Sequence, residues 1–248
     1  MMERLDSVKN PLIQRLRALK TAEGRELQRL FLVEGEKLMR EAAALLVPSV
    51  ALFEEGLDFH DLPEALSAKG ARTLTVPRRV LEAVCDTRTP QGACAAFALP
   101  APLALDLAPD RVVALDGVQD PGNLGTIWRT ADAAGFQALV VGPGCADLMS
   151  PKVQRAAMGS GFRIPAVRVD DLAGALARLA ARGHAIVATA LTGAPFYDRP
   201  PLGDRFTLVI GGEARGVCPA ALERATMTLK LPMRGGAQSL HAAVAAGL

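Results

Sequence analysis

Three short segments of the chain set polar or glycine residues directly after an apolar run, and they are where chemistry is to be sought. The first is DGVQDPGNLGTIWR, Asp116 to Arg129. A helix beginning near Asn123 carries Arg129 about a turn and a half further in. Helix-start amides together with a guanidinium suit an anion. Alone, the segment reads equally well as a tight turn, a helix cap and a surface arginine. The second is IGGEARG, Ile210 to Gly216, where glycines admit a ligand close to the backbone and Glu213 is a lone carboxylate. It is neither a GxGxxG fingerprint nor a P-loop, since the GK[ST] step is missing. The third is LPMRGGAQSLH, Leu231 to His241, in which Pro232 ends a strand and Ser239 is placed to cap a final helix. His60, His184 and His241 are the three histidines, and none has a GxSxG or active-site cysteine context, so hydrolase chemistry is poorly supported.

The elements that must position these loops follow from periodicity. From Arg111 onward the chain repeats strand, glycine-containing loop, helix. Strands are expected at 112–115, 138–141, 185–188, 207–210 and 227–231. Helices are expected at 124–134, 151–158 and 171–182, with a last one from Ser239 to the end. Such alternation implies a parallel sheet covered on both faces, whose ligands lie beyond the carboxyl ends of the strands. Ahead of it, Asn10-Pro11 reads as a helix start followed by Leu12, Ile13, Leu16 and Leu19 at helical spacing. A short strand, 31–33, follows, then a helix from Lys37 to about Leu46 that Pro48 ends. Strands at 50–53, 73–76 and 93–97 complete a small α/β unit. Residues 100–109, PAPLALDLAP, show no amphipathic period and mark the boundary.

Composition limits the classes open to the chain. Half of its 248 residues are hydrophobic and the formal net charge is +2, so wholesale disorder is excluded while nucleic-acid binding is neither demanded nor excluded. Cys85, Cys94, Cys145 and Cys218 are scattered without CxxC spacing, which suggests neither disulfides nor zinc and fits a reducing cytosol. No signal peptide is visible, and no apolar run approaches the ~18 residues of a membrane helix. Arg15, Arg17, Lys20, Arg25 and Arg29 gather near the N-terminus.

Taken in order, DPGNLGTIWRTADAAGF, LVIGGEARGV and LKLPMRGGAQSL resemble motifs 1, 2 and 3 of the SpoU (TrmH) family of RNA ribose 2′-O-methyltransferases, over residues 111–248. The segments KNPLIQRLRALK, FLVEGEKLMREA and TRTPQG make the first part similar to the L30e-like substrate-binding domain often fused ahead of it. The resemblance implies an α/β chain with a trefoil-knotted parallel-sheet (SPOUT) domain, and S-adenosyl-L-methionine as cofactor. It also implies a homodimer whose subunits complete each other's active site. Asn123, Arg129, Glu213 and Ser239 match the family's polar catalytic set. Thr189, Leu191, Gly211, Leu231, Met233 and Leu240 match positions around the cofactor, several of which act through their backbone. The family usually has asparagine where this chain has His241.

The expectation is therefore an L30e-like domain over 1–98, a linker over 99–110 and a methyltransferase domain over 111–248. The expected activity is S-adenosylmethionine-dependent ribose 2′-O-methylation of RNA, ribosomal in preference to transfer RNA, in the cytoplasm. Arg15, Arg17 and Lys20 are the expected RNA phosphate contacts. A rival of another class is an RNA-binding or ribosome-assembly protein that kept the fold and lost catalysis. No metal is expected.

Overall fold

The computed structural model describes residues 2–233, 235–236 and 240–247. In chain order the first elements are β1 (Glu3–Arg4), α1 (Pro11–Ala18), α2 (Ala22–Gln28), β2 (Leu30–Glu34), α3 (Glu36–Leu45), β3 (Pro48–Glu54), α4 (Leu62–Ala68), β4 (Arg72–Val76), α5 (Arg78–Val84) and β5 (Ala93–Ala98). Then come β6 (Arg111–Asp116), α6 (Pro121–Ala133), β7 (Ala138–Val141), α7 (Pro151–Ala157), α8 (Ser160–Arg163) and β8 (Ala166–Arg168). The last are α9 (Leu172–Ala181), β9 (Ala185–Pro195), β10 (Phe206–Gly211), α10 (Pro219–Leu222), β11 (Met227–Lys230) and α11 (Ala242–Gly247). The chain divides into two compact units: one runs to Pro100 and takes in Asp147–Phe162, the other comprises Ala101–Ala146 and the chain from Arg163 on.

The first unit is built on a five-stranded mixed sheet in the order β1-β4-β3-β5-β2. Alternate residues of β2 serve opposite faces, as the strand pleat requires. Leu32 joins Ile13, Leu16 and Leu19 of the α1 region, while Phe31 and Val33 join Met39, Leu62 and Leu66. α1 starts where Asn10 accepts a hydrogen bond from Leu12 N, with Pro11 at the first helical position. α3 stops at Leu45 with Leu46 as its cap, as expected ahead of Pro48, and Pro48 itself opens β3, a position a strand tolerates.

Segment 147–162 departs from a continuous second domain. Met149 and Phe162 pack against the Phe31 cluster, and the Phe31 and Phe162 rings lie 6.1 Å apart. Asp147 takes a hydrogen bond from the buried Arg25, and Arg155 reaches Asp86 at 2.8 Å. Aromatic burial and these charge pairs hold it to the first unit.

The second unit carries six strands among the described residues, all parallel, in the order β11-β9-β10-β6-β7-β8. Near-continuous valine, alanine and leucine runs suit strands covered on both faces. Leu172, Ala175, Leu176 and Leu179 recur at helical spacing along α9 and bury against Val112, Val140 and Ile186. Residues 99–110 are more than a connection: Leu105, in a 3₁₀ turn, and Ala108 are part of this core.

Two departures from the expected bounds bear on the site. Asp120 caps α6 by accepting from Asn123 N at 2.8 Å with Pro121 at the first position, so Asn123 lies inside the first turn. β9 runs beyond Ala188 to Pro195, and its ladder to β11 jumps from Ala188↔Thr228 to Ala194↔Leu229, leaving Thr189–Gly193 between the two registers.

Candidate active site

β10 and β6 end side by side, Gly211 opposite Asp116, so the loops after both strands emerge together. Gly212 N donates to Asp116 O at 2.8 Å, and Cys218 N donates to Asp116 Oδ2 at 2.7 Å. The Gly211 to Gly216 turn folds back so closely that glycine is required. A Cβ on Gly211 would lie 2.0 Å from the Gly216 carbonyl carbon, and one on Gly212 would lie 2.1 Å from Gly117 O.

This turn delivers Glu213 to Asn123. The buried Asn123 amide donates to Glu213 Oε1, a bond between residues 90 positions apart. The same oxygen receives Ala242 N at 3.5 Å and lies 3.6 Å from His241 Nε2. One carboxylate oxygen thus gathers groups from the first turn of α6 and from the start of α11, and among the described residues no partner takes Oε2.

Arg129 stands apart from this set. Six residues beyond Asn123 is about 240° of helical rotation, so it projects from a different face of α6. It is exposed, and no carboxylate pairs with it among the described residues. Ser239 lies outside the described residues, as does the start of the expected last helix.

Of the residues matched to the cofactor, Thr189 and Leu191 lie in the unpaired middle of β9, Gly211 ends β10, Leu231 and Met233 follow β11, and Leu240 precedes α11. Thr189 is half-buried and donates to Val209 O at 3.1 Å, whereas Leu191 is 82% exposed. Gly211, Leu231, Met233 and Leu240 are half-buried. These residues are uncharged and mostly apolar, a chemistry that fits an adenosine-bearing ligand. Arg15 and Arg17 are exposed on α1 on either side of the buried Leu16, about 200° apart around the axis, and Lys20 is half-buried. These three do not share one face.

Other participants carried a weaker signal in the sequence. Asp116 and Asp120 read as turn residues, although Asp-Pro ahead of a helix is a cap signature that identifies Asp120. Cys145 Sγ accepts from Val118 N at 3.2 Å and braces the loop after β6, and burial pushes its thiol pKa up. Nothing local marks that role.

Residues 110–248 match the SpoU rRNA Methylase family, and residues 10–95 match the MRM3-like substrate binding domain. The chain belongs to the SpoU rRNA methylase family. As such it is an RNA methyltransferase that uses S-adenosylmethionine. It is 38% identical to the 23S rRNA (guanosine(2553)-2'-O)-methyltransferase RlmP of Bacillus subtilis, over 100% of this chain and 97% of the relative. Among solved structures, the AdoMet-bound rRNA methyltransferase from Sinorhizobium meliloti superposes with a TM-score of 0.89 at 31% identity, over 99% of this chain and 95% of that one. The SpoU methyltransferase AviRb from Streptomyces viridochromogenes, in complex with AdoMet, gives 0.87 at 26% identity, over 96% and 95%. Among the described residues no helix is long and apolar enough to cross a membrane, and no cluster of His, Cys, Asp and Glu is arranged to hold a metal.

Proposed function

We propose that this family member methylates a ribose 2′-hydroxyl of ribosomal RNA, with Asn123, Arg129, Glu213 and Ser239 as its polar site. The observation that carries the reading is the Asn123–Glu213 hydrogen bond, which joins the first turn of α6 to the loop after β10. Bound S-adenosylmethionine supplies a methyl group on a positive sulfur. Its transfer to oxygen leaves a neutral thioether and requires the hydroxyl to lose its proton. Thr189, Leu191, Gly211, Leu231, Met233 and Leu240 hold the cofactor through apolar contact and backbone.

Glu213 Oε2 accepts the ribose hydroxyl hydrogen and aims the oxygen, while the Asn123 amide fixes the carboxylate. Arg129, on another face of α6, serves the site of a second copy of the chain, where it grips the phosphate beside the ribose and stabilises the developing alkoxide. A guanidinium does not give up its proton in a protein, so Arg129 is not the base. The proton leaves to water or to an RNA phosphate. Arg15, Arg17 and Lys20 contact phosphates of the same RNA, and two copies of the chain in the cytoplasm form the working enzyme.

The test is transfer of isotopically labelled methyl from S-adenosylmethionine to ribosomal RNA, with 2′-O-methyl positions mapped with and without the protein. Label appearing on a base, or on no RNA while the cofactor binds, would overturn the ribose assignment. An Arg129→Lys variant with full activity would remove the guanidinium role.

A further inference from the structure

Tyr197 is the only tyrosine of the chain and is 68% exposed. It sits on a one-turn 3₁₀ helix, Phe196–Asp198, that follows β9 directly. Phe196 meets its ring edge-on, with centroids 5.6 Å apart and planes at 84°. Phe196 is itself clamped: the Arg199 guanidinium carbon lies 3.9 Å from its ring centroid, and Arg199 Nη1 donates to Phe196 O at 2.9 Å. An exposed aromatic ring is thus backed by a second ring and a cation, a construction that holds one face open and fixed. The turn also has a defined place. Pro195, just before it, pairs with Lys230 of β11, whose next residues are the Leu231–Met233 segment. Arg199 lies on the turn beside the platform and Lys230 is the strand partner of Pro195, against the single exposed carboxylate of Asp198 on the turn.

We propose that Tyr197 is a stacking platform for one unpaired base of the RNA substrate, which holds the strand beside the site of methyl transfer. The proposal rests on the reading of the substrate as RNA. An aromatic face backed by cations suits a nucleobase followed by phosphates, since any base offers a π-face and the strand supplies the negative charge. The scarcity of aromatics argues against a stacking array and leaves room for a single contact. Tyr197 would then select for single-stranded rather than duplex RNA at this point.

The experiment uses the full chain and a short single-stranded RNA containing 2-aminopurine, whose fluorescence falls on stacking. Wild type and Tyr197→Phe quench the probe. Tyr197→Ala loses the quench and binds the RNA roughly 5- to 100-fold more weakly, in line with the contribution of one stacked base. Affinity for S-adenosylmethionine, read by calorimetry, stays the same in all three. Equal quenching and affinity in Tyr197→Ala overturns the proposal. So does a Tyr197→Ala protein that binds RNA normally but changes its sedimentation mass, which makes the patch a contact between copies. Tyr197-dependent quenching by a chain that methylates no RNA would leave the platform standing and remove the proposed function instead.

Discussion

Replacing Gly211 by alanine tests how tightly the two site loops are pressed together. The added Cβ would lie 2.0 Å from the Gly216 carbonyl carbon, 2.3 Å from Val217 N and 2.4 Å from Gly216 O. Ordinary carbon contacts are about 3.5–4.0 Å, so a movement of about 1.5 Å is needed, and every crowded atom is backbone. β10 is pinned through Gly211↔Asp116 to its neighbour strand, which leaves the Glu213 to Cys218 loop to move. That loop is tied by Gly216 N to Gly212 O at 2.8 Å and by Cys218 N to Asp116 Oδ2 at 2.7 Å. Overpacking and the loss of these two bonds cost about 2–5 kcal/mol together. The expected fall in Tm is about 5–15 °C, read by circular dichroism. Methyl transfer falls by about 100-fold as Glu213 is displaced. Gly216→Ala is the control: nothing lies within 4 Å of its Cβ, so only the strain of its φ of +64° is added, about 1–2 kcal/mol. A Gly211→Ala protein with wild-type Tm and wild-type cofactor affinity would refute the close approach.

Three further outcomes follow from other contacts. Glu213→Ala leaves the buried Asn123 amide without its acceptor, so it destabilises the chain by about 1–3 kcal/mol in urea denaturation; transfer falls while cofactor affinity, read by calorimetry, holds. His184 is buried with Nδ1 3.1 Å from Thr207 Oγ1, and burial, supported by the Arg205 and Arg182 charges, lowers its pKa from 6.5. The unfolded chain then binds the proton more readily, so stability is full above about pH 6.5 and is lost as pH falls toward the depressed folded value. Comparing denaturation midpoints at pH 7.5 and 5.0, His184→Asn should show a smaller acid loss than wild type. Asp147→Ala leaves the buried Arg25 guanidinium with the Leu19 carbonyl but no carboxylate and costs about 1–3 kcal/mol, measured by denaturant unfolding of the first unit's helices.

Sequence periodicity exposed the strand-loop-helix rhythm because each parallel strand is a short apolar run with glycine after it, as at Val209-Ile210-Gly211. The cap at Asn10 was equally plain, since its side chain bonds only two residues ahead, whereas Asp171, read as the first helical residue, is the cap of α9. What stayed hidden depends on distant partners. No local pattern says that Glu213 meets Asn123, or that Met149 and Phe162 belong with Phe31. The proline- and alanine-rich segment looked unstructured because its buried residues, Leu105 and Ala108, occupy too short a stretch to display a period. Arg15 and Arg17 looked like one cluster in a linear reading, whereas helical rotation separates them.

The attachment of Asp147–Phe162 to the first unit affects how the chain is made. At translation speeds of about 5–20 residues per second, roughly 3–12 seconds separate the synthesis of Pro100 from that of Phe162. Throughout that interval the sheet cluster around Phe31 waits for its last aromatic, and Arg25 waits for its carboxylate. A nascent chain halted at the apparent boundary near residue 100 would therefore be an unfinished structure, with an apolar face open to chaperones. Expression of the front half alone should yield a less soluble product than its own composition suggests.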